Sequence, residues 1–166
     1  MTDEATGRPA NPGDAARLAE LRYDFRAELD PPVEDRERFV ARCRSWMVQQ
    51  LRRPGSRWRC WVAERDGELL GHLWIQMLEK VPNPVDEVEQ HAYLTNMYVE
   101  PEHRRGGIGD RLLEEGLHWC RRHRMGSVIL WPTDESRSLY ARHGFRSTPE
   151  LLELSLNPSG GGSASP

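Results

Sequence analysis

Apolar residues fall at helical spacing twice before they begin to alternate. Leu18, Leu21, Tyr23 and Phe25 predict a helix with Asp14 as its N-cap, ending before Pro31-Pro32. Phe39, Val40, Cys43, Trp46, Met47 and Leu51 predict a second, from about Glu34 to Leu51, stopped by Pro54-Gly55. Strand-like runs follow at Trp58–Glu64 and Leu69–Glu79, joined through Asp66-Gly67, a strong hairpin signal. Residues 80–90 hold two prolines and three acids and read as a loop. Ala92–Val99 is rich in strand formers. From about Gly107 to His123, Ile108, Leu112, Leu113, Gly116, Trp119 and Cys120 share one helical face. Ser127–Trp131 has the unbroken apolar character of a buried strand, Ser136–Arg142 is a short helix ended by Gly144, and Leu151–Leu156 is a last strand. This order predicts an α/β (α+β) fold around a mixed sheet.

The two ends carry no such pattern. Residues 1–12 are polar and hold two prolines, so a flexible N-terminal segment is expected, then one domain over 13–157, then a disordered Gly/Ser/Pro tail over 158–166. A net charge of −3 argues against a dedicated nucleic-acid binder. A binding surface on Arg52-Arg53, Arg57, Arg59 and residues 121–124 stays open, although basic residues at a helix end are explained more simply by the helix dipole. No apolar run reaches the roughly 18–20 residues of a membrane span and the start lacks the order of a signal peptide, so the expected compartment is the cytoplasm, with no membrane partner. Three cysteines at wide spacing, Cys43, Cys60 and Cys120, suggest reduced, partly buried thiols and no metal site.

The chemistry concentrates in Arg104-Arg105-Gly106-Gly107-Ile108-Gly109, where a strand has just ended and an amphipathic helix begins. A helix start offers unpaired N–H groups and partial positive charge, glycines admit a phosphate to the backbone, and guanidinium groups grip its oxygens. A nucleoside-triphosphate loop would need a lysine and a hydroxyl after Gly109, and a dinucleotide loop a different glycine spacing behind the first strand. Neither is present. A tight glycine turn without any ligand is the remaining alternative for the cluster taken alone.

RRGGIG fits the (Gln/Arg)-x-x-Gly-x-(Gly/Ala) signature of the GCN5-related N-acetyltransferase (GNAT) superfamily, and residues 139–145, LYARHGF, resemble that family's LYxxxGF segment. The resemblance spans roughly Asp14 to Leu156. It implies a mixed sheet splayed between the fourth and fifth strands, with acetyl-CoA as co-substrate and its pantetheine arm in the gap. It implies that Met97, Tyr98 and Val99 meet the thioester and pantetheine, with the Met97 N–H facing the carbonyl oxygen. Arg104, Arg105, Gly106, Gly107, Ile108 and Gly109 would hold the pyrophosphate, with Thr133 and Ser136 also on the cofactor. Tyr140 aligns with the tyrosine that commonly protonates the departing thiolate. The family's occasional base glutamate is Tyr93 here, which leaves His91, Glu89, Glu79 or ordered water to take the amine's proton.

Three departures from the family stand out. The apolar first strand is hardly visible, Thr133 replaces a common asparagine, and Trp131-Pro132 stiffens the chain end. Acceptor residues in the family come from the first two helices and the loop before the fourth strand. Here these supply Arg22, Tyr23, Phe25, Arg26, Glu28 and Trp46, then Glu79, Asp86, Glu87 and Glu89. Tyr23, Phe25 and Glu79 are the expected acceptor contacts, and an acidic loop beside aromatic residues suits a cationic small-molecule or peptide amine. The family often forms dimers, so a homodimer is expected. A coenzyme A-binding sensor without efficient catalysis is the alternative function.

Overall fold

The computed structural model describes residues 4–156, so the tail expected at 158–166 lies outside the described residues. The chain forms two compact units, one up to Ile129 and one from Leu130 onward. The first holds strands β1 (Thr6–Pro9), β2 (Trp58–Arg65), β3 (Glu68–Glu79), β4 (Gln90–Val99) and β5 (Val128–Ile129), with helices α1 (Ala15–Leu29), α2 (Arg36–Arg52) and α3 (Ile108–Arg122). The strands lie in the order β1-β2-β3-β4-β5. Neighbours run antiparallel except β4 and β5, which are parallel and pair only at Ala92–Val128 and Tyr93–Ile129. Beyond Tyr93, the remaining six residues of β4 have no β5 ladder partner among the described residues.

Strand alternation divides the core between two faces. Cys60, Val62 and Trp74 pack with Leu18, Leu21 and Met47 on the side of α1 and α2. Leu73 and Ile75, the alternate residues of β3, lie against α3, where a Cβ at Gly116 would stand 2.7 Å from Leu73 Cδ2. Glycine there lets the helix backbone settle on the sheet. Leu112 and Leu113 of α3 are fully buried, each stabilising the fold by roughly 1.5–3 kcal/mol relative to exposure.

Two departures from the expected pattern concern the ends. Residues 6–9 form β1, and residues 12–14 a tight turn capped by Asn11, where a flexible segment was expected. This is an edge strand, stabilised by polar groups more than by an apolar face. Arg8 binds Asp14 at 2.8 Å and also pairs with Glu64 of β2. Asp14 is thereby occupied and makes no cap bond to α1. At the other end, Leu151–Leu156 forms no strand, and Leu152, Leu154 and Leu156 stand exposed. Among its described residues the second unit contains one helix, α4 (Arg137–Arg142). No described helix is long and apolar enough to cross a membrane.

Candidate active site

The glycine loop is an exposed backbone cradle. Arg105 (φ 64°) and Gly107 (φ 80°) both take the left-handed conformation, and Gly107 is the N-cap of α3 without a side-chain cap. The backbone N–H groups from Gly106 to Gly109 have no acceptor among the described residues. Turns of this kind aim successive N–H groups at one point and bind anions, and the α3 dipole adds to the effect. A side chain at Gly107 would meet no atom within 4 Å, so open space lies in front of the loop.

The two arginines of the loop are not equivalent. Arg105 is exposed, and its side chain has no acid partner among the described residues. Arg104 is already engaged. Its Nε donates to the Val99 carbonyl at 2.8 Å, its Nη2 reaches Glu28 Oε2 at 2.7 Å, and its guanidinium lies over the Tyr98 ring. The Tyr98 hydroxyl donates to the other oxygen of Glu28 at 2.6 Å. Burial and this carboxylate raise the Tyr98 pKa, so the phenol stays protonated. One acid at the end of α1 thus ties together the last strand positions of β4 and the first arginine of the loop.

Within β4 the pairing slips by one residue. His72 faces Tyr98 and Trp74 faces Thr95, so Asn96 and Met97 together oppose Leu73. Asn96 is left-handed (φ 53°), the conformation of a bulge that re-aims the backbone. Its side-chain oxygen accepts a hydrogen bond from Arg22 Nη1 of α1 at 2.9 Å. Beneath the bulge, His72 is completely buried and its ring nitrogens make no hydrogen bond. Burial, with some repulsion from Arg22, pushes its pKa down to about 3.

The remaining expected residues scatter. Tyr23 packs on Phe39 and under Arg36. Phe25 packs on Tyr98, against the Arg22 guanidinium. Glu79 is held by Arg57, Glu87 by Lys80 and Asn83, and Glu89 accepts from the Asn83 backbone. Glu79, Glu87 and Glu89, among the acids expected to attract a cationic amine, thus each have a partner within the chain. His91 lies near the start of β4, away from Met97. Its Nδ1 meets Ser127 Oγ at 2.7 Å, and it stands six positions along the strand from Met97, about 20 Å at the usual rise. Direct proton transfer spans one hydrogen bond or a single water.

In the second unit, Thr133 and Ser136 hydroxyls are joined at 3.0 Å, and Ser136 also donates to the Thr133 carbonyl, a turn that leads into α4. Tyr140 is buried, packs edge-on to Phe145 at 5.5 Å, and has its pKa pushed up to about 12 by burial. The sequence reading placed Arg22 and Glu28 in the acceptor region without a role. It missed Asn96 and His72 altogether. A bulge leaves no mark in a run of strand formers, although an asparagine inside such a run is a signal for one.

Known proteins share this architecture. Residues 17–145 match the family model described as Acetyltransferase (GNAT) family. A probable N-acetyltransferase of Mycobacterium tuberculosis is 28% identical over 150 residues, covering 83% of this chain and 78% of that protein. A mycothiol acetyltransferase of Thermomonospora curvata is 30% identical over 153 residues, 87% of this chain, and the chain spans 45% of that relative's length. Among solved structures, a predicted acetyltransferase with acetyl-CoA from Clostridium acetobutylicum superposes with a TM-score of 0.75 at 24% identity, covering 92% of this chain and 96% of the other. A GCN5-related N-acetyltransferase from Ralstonia eutropha gives 0.69, covering 92% and 99%. The glycine loop before α3, the mixed sheet with its short β4–β5 pairing and these likenesses agree: the chain belongs to the acetyltransferase (GNAT) family and is an acetyltransferase enzyme of that type.

Proposed function

We propose that the protein transfers an acetyl group from acetyl-CoA to a primary amine by direct attack within a ternary complex. The observation that carries this reading is the row of N–H groups without a backbone acceptor at Gly106–Gly109, with Gly106 and Gly107 exposed and Arg105 beside them. Those donors suit the pyrophosphate of coenzyme A, with Arg105 as the available cation. Arg104 contributes by holding the loop to Glu28 and Val99. The bulge at Asn96 supports a role for the following N–H, that of Met97, as donor to the carbonyl oxygen that becomes negative in the transition state.

Tyr140 is the proposed acid for the thiolate. Its support is the segment in which it stands and the burial that keeps its phenol protonated up to about pH 12. No imidazole or carboxylate of the first unit is assigned as base; water removes the amine's proton. The test is a thermal-shift series with acetyl-CoA and CoA, followed by thiol release on a panel of amines. A rise in Tm with acetyl-CoA and turnover on at least one amine are expected, with Tyr140→Phe lowering kcat by about a hundredfold. No shift with any acyl-CoA removes the donor assignment, and unchanged thiol release in Tyr140→Phe removes the acid.

A further inference from the structure

Helix α1 carries three arginines with different surroundings. Arg17 pairs with Glu100 and Glu20, and Arg26 pairs with Asp30. Arg22 has no carboxylate partner among the described residues. It is mostly buried, and its one hydrogen bond goes to the neutral amide of Asn96. The groups around it do not neutralise it either. Phe25 lies against it, Arg26 repels it, burial raises the Cys43 thiol of α2 so that it stays neutral, Tyr93 of β4 offers no carboxylate, and His72 of β3 is uncharged. Burial and Arg26 both lower its pKa, as expected for a guanidinium without a counter-charge. The nearby acids Asp24, Glu28 and Glu34 are committed to Arg36, Arg104 and Arg42.

A desolvated cation left without an anion is costly, and a binding partner that supplies one gains that energy. The place is informative, because Asn96 stands next to Met97 on the bulge where acyl transfer is proposed. Arg22 is a planar donor that keeps free N–H groups after serving Asn96, the geometry that matches a carboxylate or a phosphate.

We infer that the acceptor is a primary amine that also carries an oxyanion, a carboxylate or a phosphate monoester, and that Arg22 binds this group beside the β4 bulge. The inference rests on the transferase reading above. Arg22 sets specificity, and the amine is turned toward the acetyl group because the anionic end is held.

The experiment compares thiol release on matched amines: amino acids against their decarboxylated amines, and aminoalkyl phosphates against amino alcohols. At least one anionic series is expected to exceed its neutral partners in kcat/KM by about tenfold or more, and the series that wins identifies carboxylate or phosphate. Arg22→Gln is expected to collapse that ratio to near one, and Arg22→Lys, which keeps the charge, to lower it part way. Asn96→Gly removes the Arg22 tie but keeps the left-handed backbone, and is expected to retain the ratio. Neutral amines matching or exceeding anionic ones throughout, or an unchanged ratio in Arg22→Gln, overturns the inference. Turnover on no amine sinks the transferase reading instead. The inference is then decided by the Arg22 Nε–H resonance, which 4-aminobutyrate should shift and butylamine should not. Equal shifts with both overturn it.

Discussion

His72 lies at the centre of the sheet, wholly buried and neutral. Its imidazole would take a proton at about pH 6.5 in the unfolded chain but resists to about 3 in the fold. As pH falls, the unfolded state therefore binds protons first. The stability contributed is complete above about pH 6.5 and is lost between there and about 3, at up to about 1.4 kcal/mol per pH unit. Urea unfolding near pH 7, 5.5 and 4.5 tests this. His72→Leu, of similar size, should flatten the slope relative to the parent chain, whereas parallel slopes would mean that the ring reaches water. The same residue marks a limit of sequence reading. A histidine within an alternating run looks like a surface position, and only the register, which sets it against Tyr98 and Val62, shows it to be interior.

At the scale of elements, α3 and its entry loop were legible because two signals coincide there, glycines before the helix and a strongly apolar face along it. Gly107 is the position where the backbone demands glycine, since φ is 80°. Gly107→Val should cost about 1–2 kcal/mol from strain alone, and more than that in donor affinity, because the N–H groups would turn from a common point. Calorimetric titration with CoA, set beside a denaturation curve, separates the two, and affinity equal to the parent's would show the cradle tolerates the change. The elements at the chain ends were not legible. β1 is a polar edge strand whose evidence is an arginine clamped between two acids, and nothing in its spacing announces that. Leucines at 152, 154 and 156 alternate as a strand should, yet alternation supplies a face without a partner strand. The bulge in β4 was hidden for a related reason: pairing depends on β3, and within residues 92–99 Asn96 alone hints at a slip of one.

For the molecule as a whole, the sheet ends on one side at β1, which covers β2 over four residue pairs. Removing residues 1–9 would delete that cover and the Arg8 pairs with Asp14 and Glu64. A shortened chain should melt at least about 5 °C lower, the equivalent of roughly 2 kcal/mol at this size. It should also associate through the bared edge of β2, as exposed strand edges do. Scanning calorimetry and light scattering at several concentrations would report both effects. A monomeric shortened chain with the parent melting temperature would show that β1 adds little.

Lys80 supplies the only ε-amine in the sequence, and it is held by Glu87 at 2.7 Å in the loop before β4. The whole of β4 lies between that loop and the glycine cradle, a run of roughly 30 Å at ordinary strand rise. A reagent directed at lysine ε-amines would therefore modify one residue, remote along the strand from the glycine loop. The same arithmetic bounds self-modification: stray acylation of lysine would appear as a single mass increment, at Lys80 alone.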